Sequence, residues 1–159
     1  MQKHFGAPWS TRLKLMTAAI IILLVVVIVV TDDWPRFVVL AILLVTTALA
    51  VRGYSVIDGQ LLVHRMGWAT KFDLGTLTSA EVSPGATMGS VRAFGIGGLF
   101  GFVGHFRNEV LGLYKAYATN QQNTVVLDFG GNKVVVTPGE PNEFVEVVNA
   151  SAAQTTPTG

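Results

Sequence analysis

The sequence predicts a mainly β domain of short antiparallel strands, closed by one C-terminal helix and preceded by a transmembrane hairpin of two helices. Three observations carry this. Residues 15–30 and 37–51 are two uncharged apolar runs separated by the polar knot Thr31-Asp32-Asp33-Trp34-Pro35-Arg36. Short runs rich in Val, Leu and Tyr, punctuated by Asp58-Gly59, Ser83-Pro84-Gly85 and Gly130-Gly131-Asn132, fill much of the remainder. Pro141 then opens a stretch in which Phe144, Val147 and Val148 recur at helical spacing.

The two apolar runs come first in the argument because a bilayer permits only helices or closed barrels. The chain is 13% charged with a mean hydropathy of +0.51, whereas a soluble domain carries about 25% charged residues. Each run falls slightly short of the roughly 20 residues of a full span. Lys14 and Arg52 can extend them by snorkelling, and Trp34 suits the interfacial belt. A cleaved signal peptide is the main competitor. It fits poorly, because Thr31-Asp32-Asp33-Trp34-Pro35 is not a small-residue cleavage site and a second apolar run follows at once. Helices apolar all round also need more covering material than a chain this small supplies.

Lys3, Arg12 and Lys14 precede the first run, Arg52, Arg65 and Lys71 follow the second, and Arg36 alone lies between them. The positive-inside rule then predicts a multi-pass protein of the cytoplasmic (inner) membrane with both termini cytoplasmic. The predicted organisation is a cytoplasmic leader over 1–14, a transmembrane hairpin over 15–51, a β domain over 52–150 and a disordered tail over 151–159. His4 reads as an ordinary exposed residue of the leader. There is no cysteine and hence no disulfide framework.

Within the β domain, Tyr54-Ser55-Val56-Ile57 leads into Asp58-Gly59, a pair that favours a tight hairpin. Leu61 to Met66 answers as the partner strand. Trp68, Thr70, Phe72 and Leu74 alternate in the next, and residues 77–82 form a further short one. Residues 124–129 and 133–137 make a second hairpin. Glu140 and Glu143 suit the positive end of the helix that begins near Pro141.

Residues 87–119 are the unusual part, with seven glycines among large apolar groups. Gly95-Ile96-Gly97-Gly98-Leu99-Phe100-Gly101 matches neither a phosphate loop nor a dinucleotide fingerprint. Two readings stay open: a long bulged β-hairpin whose glycines relieve crowding, or an apolar loop that touches the bilayer or another subunit. Phe94, Leu99, Phe100, Phe102 and Phe106 are the candidate membrane or partner contacts, being too many large apolar groups for an idle solvent loop.

The pattern Tyr54-Ser55-Val56-Ile57-Asp58-Gly59-Gln60-Leu61-Leu62-Val63-His64-Arg65 is followed by Arg92-Ala93-Phe94-Gly95-Ile96-Gly97-Gly98-Leu99-Phe100-Gly101 and by Gly112-Leu113-Tyr114-Lys115-Ala116-Tyr117-Ala118-Thr119. It closes with Val134-Val135-Val136-Thr137-Pro138 ahead of Pro141. In this combination residues 53–150 resemble a bacterial pleckstrin-homology-like (PH-like) domain of the small membrane-anchored kind. The resemblance implies a strongly bent, seven-stranded antiparallel barrel with a C-terminal capping helix, often tethered to membrane helices. It also makes self-assembly plausible, because bacterial PH-like domains include oligomeric forms.

Phosphate recognition would need convergent basic side chains. The candidate lipid head-group contacts are Arg65 and Lys71 near the first hairpin and Arg92 and Arg107 flanking the glycine-rich segment. Residues 52–159 carry seven Lys/Arg against eight Asp/Glu, too little positive charge for a nucleic-acid footprint. No nucleophile, metal-binding spacing or cofactor motif stands out, so no catalytic, cofactor or metal residue is assigned. The predicted function is a non-enzymatic, membrane-anchored interaction or scaffold module that associates with itself or with a partner protein. Binding to lipid head groups is the alternative, and an uncharacterised enzyme a remote one.

Overall fold

The computed structural model describes residues 2–31, 33–97 and 100–155. Among them the chain forms β1 (Gln2–Gly6), α1 (Thr11–Val30), α2 (Trp34–Leu49), β2 (Gly53–Ile57), β3 (Gln60–His64), β4 (Ala69–Asp73) and β5 (Ser79–Val82). Then follow β6 (Val91–Gly97), β7 (Phe102–Asn108), β8 (Gly112–Ala118), β9 (Val125–Phe129), β10 (Asn132–Val136) and α3 (Pro141–Thr155).

The strands make two sheets, one ordered β1-β2-β3-β4 and the other β5-β9-β10-β8-β7-β6. This corrects the expected fold class in three respects. Neither sheet closes into a barrel, and the β8–β10 pair is parallel, with Lys133 opposite Tyr114 and Val136 opposite Tyr117. The helices also hold nearly as many residues as the strands, so the fold is mixed α/β rather than mainly β. Strand sequences do not announce their partners. The parallel pairing comes from residues 119–124, which carry the chain past the place of β10 to form β9, so that the turn at 130–131 returns β10 between β9 and β8.

The core lies between the sheets and under α3. Tyr54, Val56, Leu61 and Val63 from the first sheet meet Val125, Leu127, Val134 and Val136 from the second. Phe144 of α3 is fully buried and sits edge-on to Phe5 at 5.1 Å and to Tyr54 at 6.1 Å. Phe106, Leu111, Tyr114, Ala116 and Val135 form a second cluster. Central strand β10 is therefore covered on both faces, which explains why Val134, Val135 and Val136 are all buried.

The turns behave as their residues dictate. Asp58 and Gly59 both take positive φ, 48° and 74°, as a two-residue hairpin turn of type I′ requires. Pro141 opens α3, and the helix carries on through Thr155, so residues 151–155 of the expected tail are helical.

The helix pair differs from the expected hairpin. Ser10 caps α1 by accepting the Leu13 N–H at 3.2 Å, so the helix starts at Thr11 and reaches 20 residues. Helix α2 has 16 residues. At 1.5 Å per residue these span about 30 Å and about 24 Å, against a hydrocarbon core of about 30 Å. Among the described residues α1 alone is long and apolar enough to cross a membrane. The multi-pass placement in the inner membrane, with both termini cytoplasmic, is corrected accordingly. Both helices expose apolar side chains, including Leu15, Ile22, Val29, Phe37 and Leu44. Thr46 and Thr47 return their hydroxyls to the carbonyls of Ile42 and Leu43, each at 2.7 Å.

The segment expected as a leader contributes β1, which pairs antiparallel with β2 from Gln2 opposite Ile57 to Gly6 opposite Gly53. The chain therefore leaves the first sheet for α1 and returns from α2 at adjacent points. Phe5 points into the core, and Lys3 bridges to Glu143 of α3.

Candidate interaction surface

The glycine-rich segment folds as a β-hairpin, β6 with β7, carrying a bulge between Arg92 and Phe94. Gly95 lies opposite Gly104, both at positive φ, 127° and 139°. A Cβ on either glycine would collide with the other strand's backbone. The two strands approach more closely here than any other residue allows.

This hairpin separates the candidate contact residues into three environments. Phe94 is 78% exposed on β6, which pairs only with β7 among the described residues. Phe100, at the other end of the hairpin, lies edge-on to Trp9 at 5.9 Å, and its N–H donates to the Thr17 hydroxyl of α1 at 3.3 Å. Phe102 is half-buried against Phe106, and Phe106 is buried and stacked on Tyr114 at 6.1 Å. Leu99 lies outside the described residues. The five residues thus do not form one surface: Phe106 belongs to the interior, and Phe94 is free.

Register adds neighbours to Phe94 that spacing did not reveal. Phe94 pairs with His105, and His105 with Lys115; Val91 pairs with Arg107, and Arg107 with Leu113. Directly paired residues share a face. Exposed Val91, Phe94 and Leu113 therefore alternate with basic side chains on one side of the β6-β7-β8 flap.

The four candidate head-group residues do not converge. The Arg65 guanidinium lies 4.9 Å from the Tyr117 ring and 5.7 Å from that of Trp68, so it caps aromatic surface where the two sheets meet. Lys71 is exposed on β4, opposite Leu62. Arg92 and Arg107 line one surface hollow of about 670 Å³ together with Glu109.

Two arrangements were not legible in the sequence. His4 Nδ1 and His64 Nε2 lie 2.9 Å and 2.8 Å from the buried Ser55 hydroxyl, joining β1, β2 and β3. His4 is exposed as expected, yet it is held in place. Polar Lys3 and apolar Phe5 share the face of β1 that meets α3, so no alternation marks the strand, and five residues ahead of an apolar run read more readily as a leader. The second arrangement is a cleft between the start of α1 and two loops of the domain. Among the described residues no group of three His, Cys, Asp or Glu side chains could hold a metal ion.

Two open sheets under a capping helix make up the domain that carries these surfaces. A family model described as Bacterial PH domain matches residues 52–152, and the chain belongs to that family. No curated protein and no solved structure matches it. As a PH-like domain it is non-catalytic and serves in interaction.

Proposed function

We propose that this domain is held at a membrane by α1 and associates with a second copy of itself through the free edge of β6. The observation that carries the reading is Phe94, 78% exposed on an edge strand whose outer backbone groups have no partner strand among the described residues. An exposed edge bearing large apolar groups is a template for pairing with another chain. Val91 and Leu113 extend the apolar patch on the same side. The exposed apolar surface of α1 supports the membrane attachment.

The test is chemical crosslinking and mass measurement of the full chain, in detergent and in lipid, for wild type and Phe94→Asp. A wild-type dimer that Phe94→Asp converts to monomer is the expected result. A strictly monomeric wild type in both media overturns the self-association reading. Phe100→Asp is a less clean probe, because Phe100 packs on Trp9 at the base of α1.

A second reading, direct contact of the hairpin with the bilayer surface, is favoured by the Phe100–Thr17 hydrogen bond, which sets one end of the hairpin beside α1. Arg92 and Arg107 lie at the far end of the hairpin from Phe100, so on this reading Phe100→Asp is expected to weaken binding to vesicles and reversal of the two arginines to Glu to leave it unchanged.

A further inference from the structure

We infer that the cleft between the start of α1 and the domain is a binding site for one anionic phospholipid drawn from the bilayer beside α1. The inference rests on the reading of α1 as a membrane helix and goes beyond it in assigning a site, a ligand class and a set of side chains.

The cleft has a volume of about 740 Å³. Residues 9–16 form one wall, the loop 84–88 and residues 120–122 form the other, and Phe102 closes it from the sheet. No acidic side chain is among its lining residues.

Its two ends differ in chemistry, and the fold sets which end faces the helix interior. The Ser10 N–H donates to the Thr119 carbonyl at 3.2 Å, so residues 120–122 lie at the level of the first turn of α1. The Phe100 N–H reaches Thr17, seven residues further along, so the Phe100–Phe102 end lies about 10 Å up the helix. Arg12, Gln121 and Gln122 therefore sit toward the domain, while Met16 and Phe102 sit toward the apolar body of α1. Arg12 is exposed, and it has no ion-pair partner among the described residues. Met88, 72% exposed, adds an apolar side chain to the loop wall. Trp9 stands at the same boundary, where indole rings favour the head-group layer.

This gradient matches one molecule, a phospholipid with its phosphate toward Arg12 and the two carboxamides and an acyl chain along Met16, Met88 and Phe102. An arginine and neutral amide donors facing a cleft without carboxylates favour an anionic head group over a zwitterionic one.

The walls are already in position. Gly85 N–H donates to the Gln121 carbonyl at 3.2 Å and Ser83 N–H to that of Thr124 at 2.8 Å, tying the two loops together. The Thr119 hydroxyl donates to the Pro8 carbonyl at 2.9 Å, tying the residues before α1 to β8. A preformed cleft loses little by ordering when it fills.

The test uses the full chain reconstituted in phosphatidylcholine vesicles doped with phosphatidylglycerol that carries a photoactivatable group on one acyl chain. Labelled peptides are mapped by mass spectrometry. The expected result is label on peptides containing Met88 and Gln121 as well as on α1. In Arg12→Gln that domain label falls about tenfold, the effect of losing one charge-assisted hydrogen bond, while label on α1 persists and Arg12→Lys recovers most of it. Label confined to α1 and α2 overturns the site while leaving the membrane reading intact. Domain label unchanged in Arg12→Gln, or displaced by soluble glycerol phosphate, also overturns it. Failure of wild type to sediment with the vesicles overturns the membrane reading itself, and the site with it.

Discussion

The phenol of Tyr54 donates to the backbone carbonyl of Tyr117 at 2.5 Å, joining β2 of one sheet to β8 of the other in the middle of the core. The same oxygen accepts the Thr137 N–H at 3.1 Å, and the Thr137 hydroxyl in turn accepts the Thr119 N–H at 2.8 Å. A polar knot thus links the two sheets where barrel closure would otherwise be expected to do so. Every group in it is buried and every one has a partner, which is what low-dielectric surroundings demand.

Tyr54→Phe should therefore destabilise the domain by about 1–3 kcal/mol, because it leaves the buried Thr137 N–H without an acceptor. Thermal unfolding of the full chain in detergent measures this. A melting temperature equal to wild type would show that the knot contributes nothing.

The same residue gives the protein an alkaline limit. Burial pushes the Tyr54 phenol up to about 12 from an ordinary 10.0, against the smaller opposing effect of the Thr137 hydrogen bonds. A folded-state value above the unfolded one means that this stabilisation is complete below pH 10 and is lost as pH rises through about 12. The loss amounts to about 3 kcal/mol. A pH series of unfolding midpoints should show the fall over that window in wild type and a shallower one in Tyr54→Phe. Parallel curves would contradict the assignment.

Phe144→Ala should cost about 3–5 kcal/mol, since it removes the fully buried ring that meets both Phe5 and Tyr54. Beyond lower stability, the expected signature is faster amide hydrogen exchange in β1, whose Phe5 loses its partner. Loss of stability with β1 still fully protected would mean that its pairing with β2 alone holds the strand.

Gly104→Ala should act locally. Its Cβ would strike the Phe94 carbonyl and its φ of 139° suits no side chain. Faster hydrogen exchange across β6 and β7 is expected, with the β2–β3 hairpin unchanged. Self-association should fall together with the ordered β6 edge. Unchanged protection of β6 would show that the close approach of Gly95 and Gly104 is not needed.

Arg65→Gln should lower stability by about 1 kcal/mol by uncovering Tyr117, while leaving binding to anionic vesicles as it is. Vesicle binding that falls in Arg65→Gln would instead return Arg65 to the lipid-contact set.

What residue chemistry determines locally was legible before any fold was seen. The Asp58-Gly59 turn follows from the positive φ that both positions require, and α3 from Pro141 and the spacing of Phe144 and Val148. The apolar character of both helices, and the membership in the PH-like family, were likewise legible. Tertiary structure decided what depends on which distant segments meet. It placed β1 beside β2, forty-odd residues away in sequence, and paired β8 parallel to β10, leaving two open sheets. It also sent Phe106 into the core while its near neighbour Phe94 stayed outside, because a bulge between Arg92 and Phe94 shifts the alternation of β6 against β7. Periodicity records which side chains share a face of one strand. Whether that face is covered depends on partners that only the folded chain brings together, and the cleft beside Arg12 exists for the same reason.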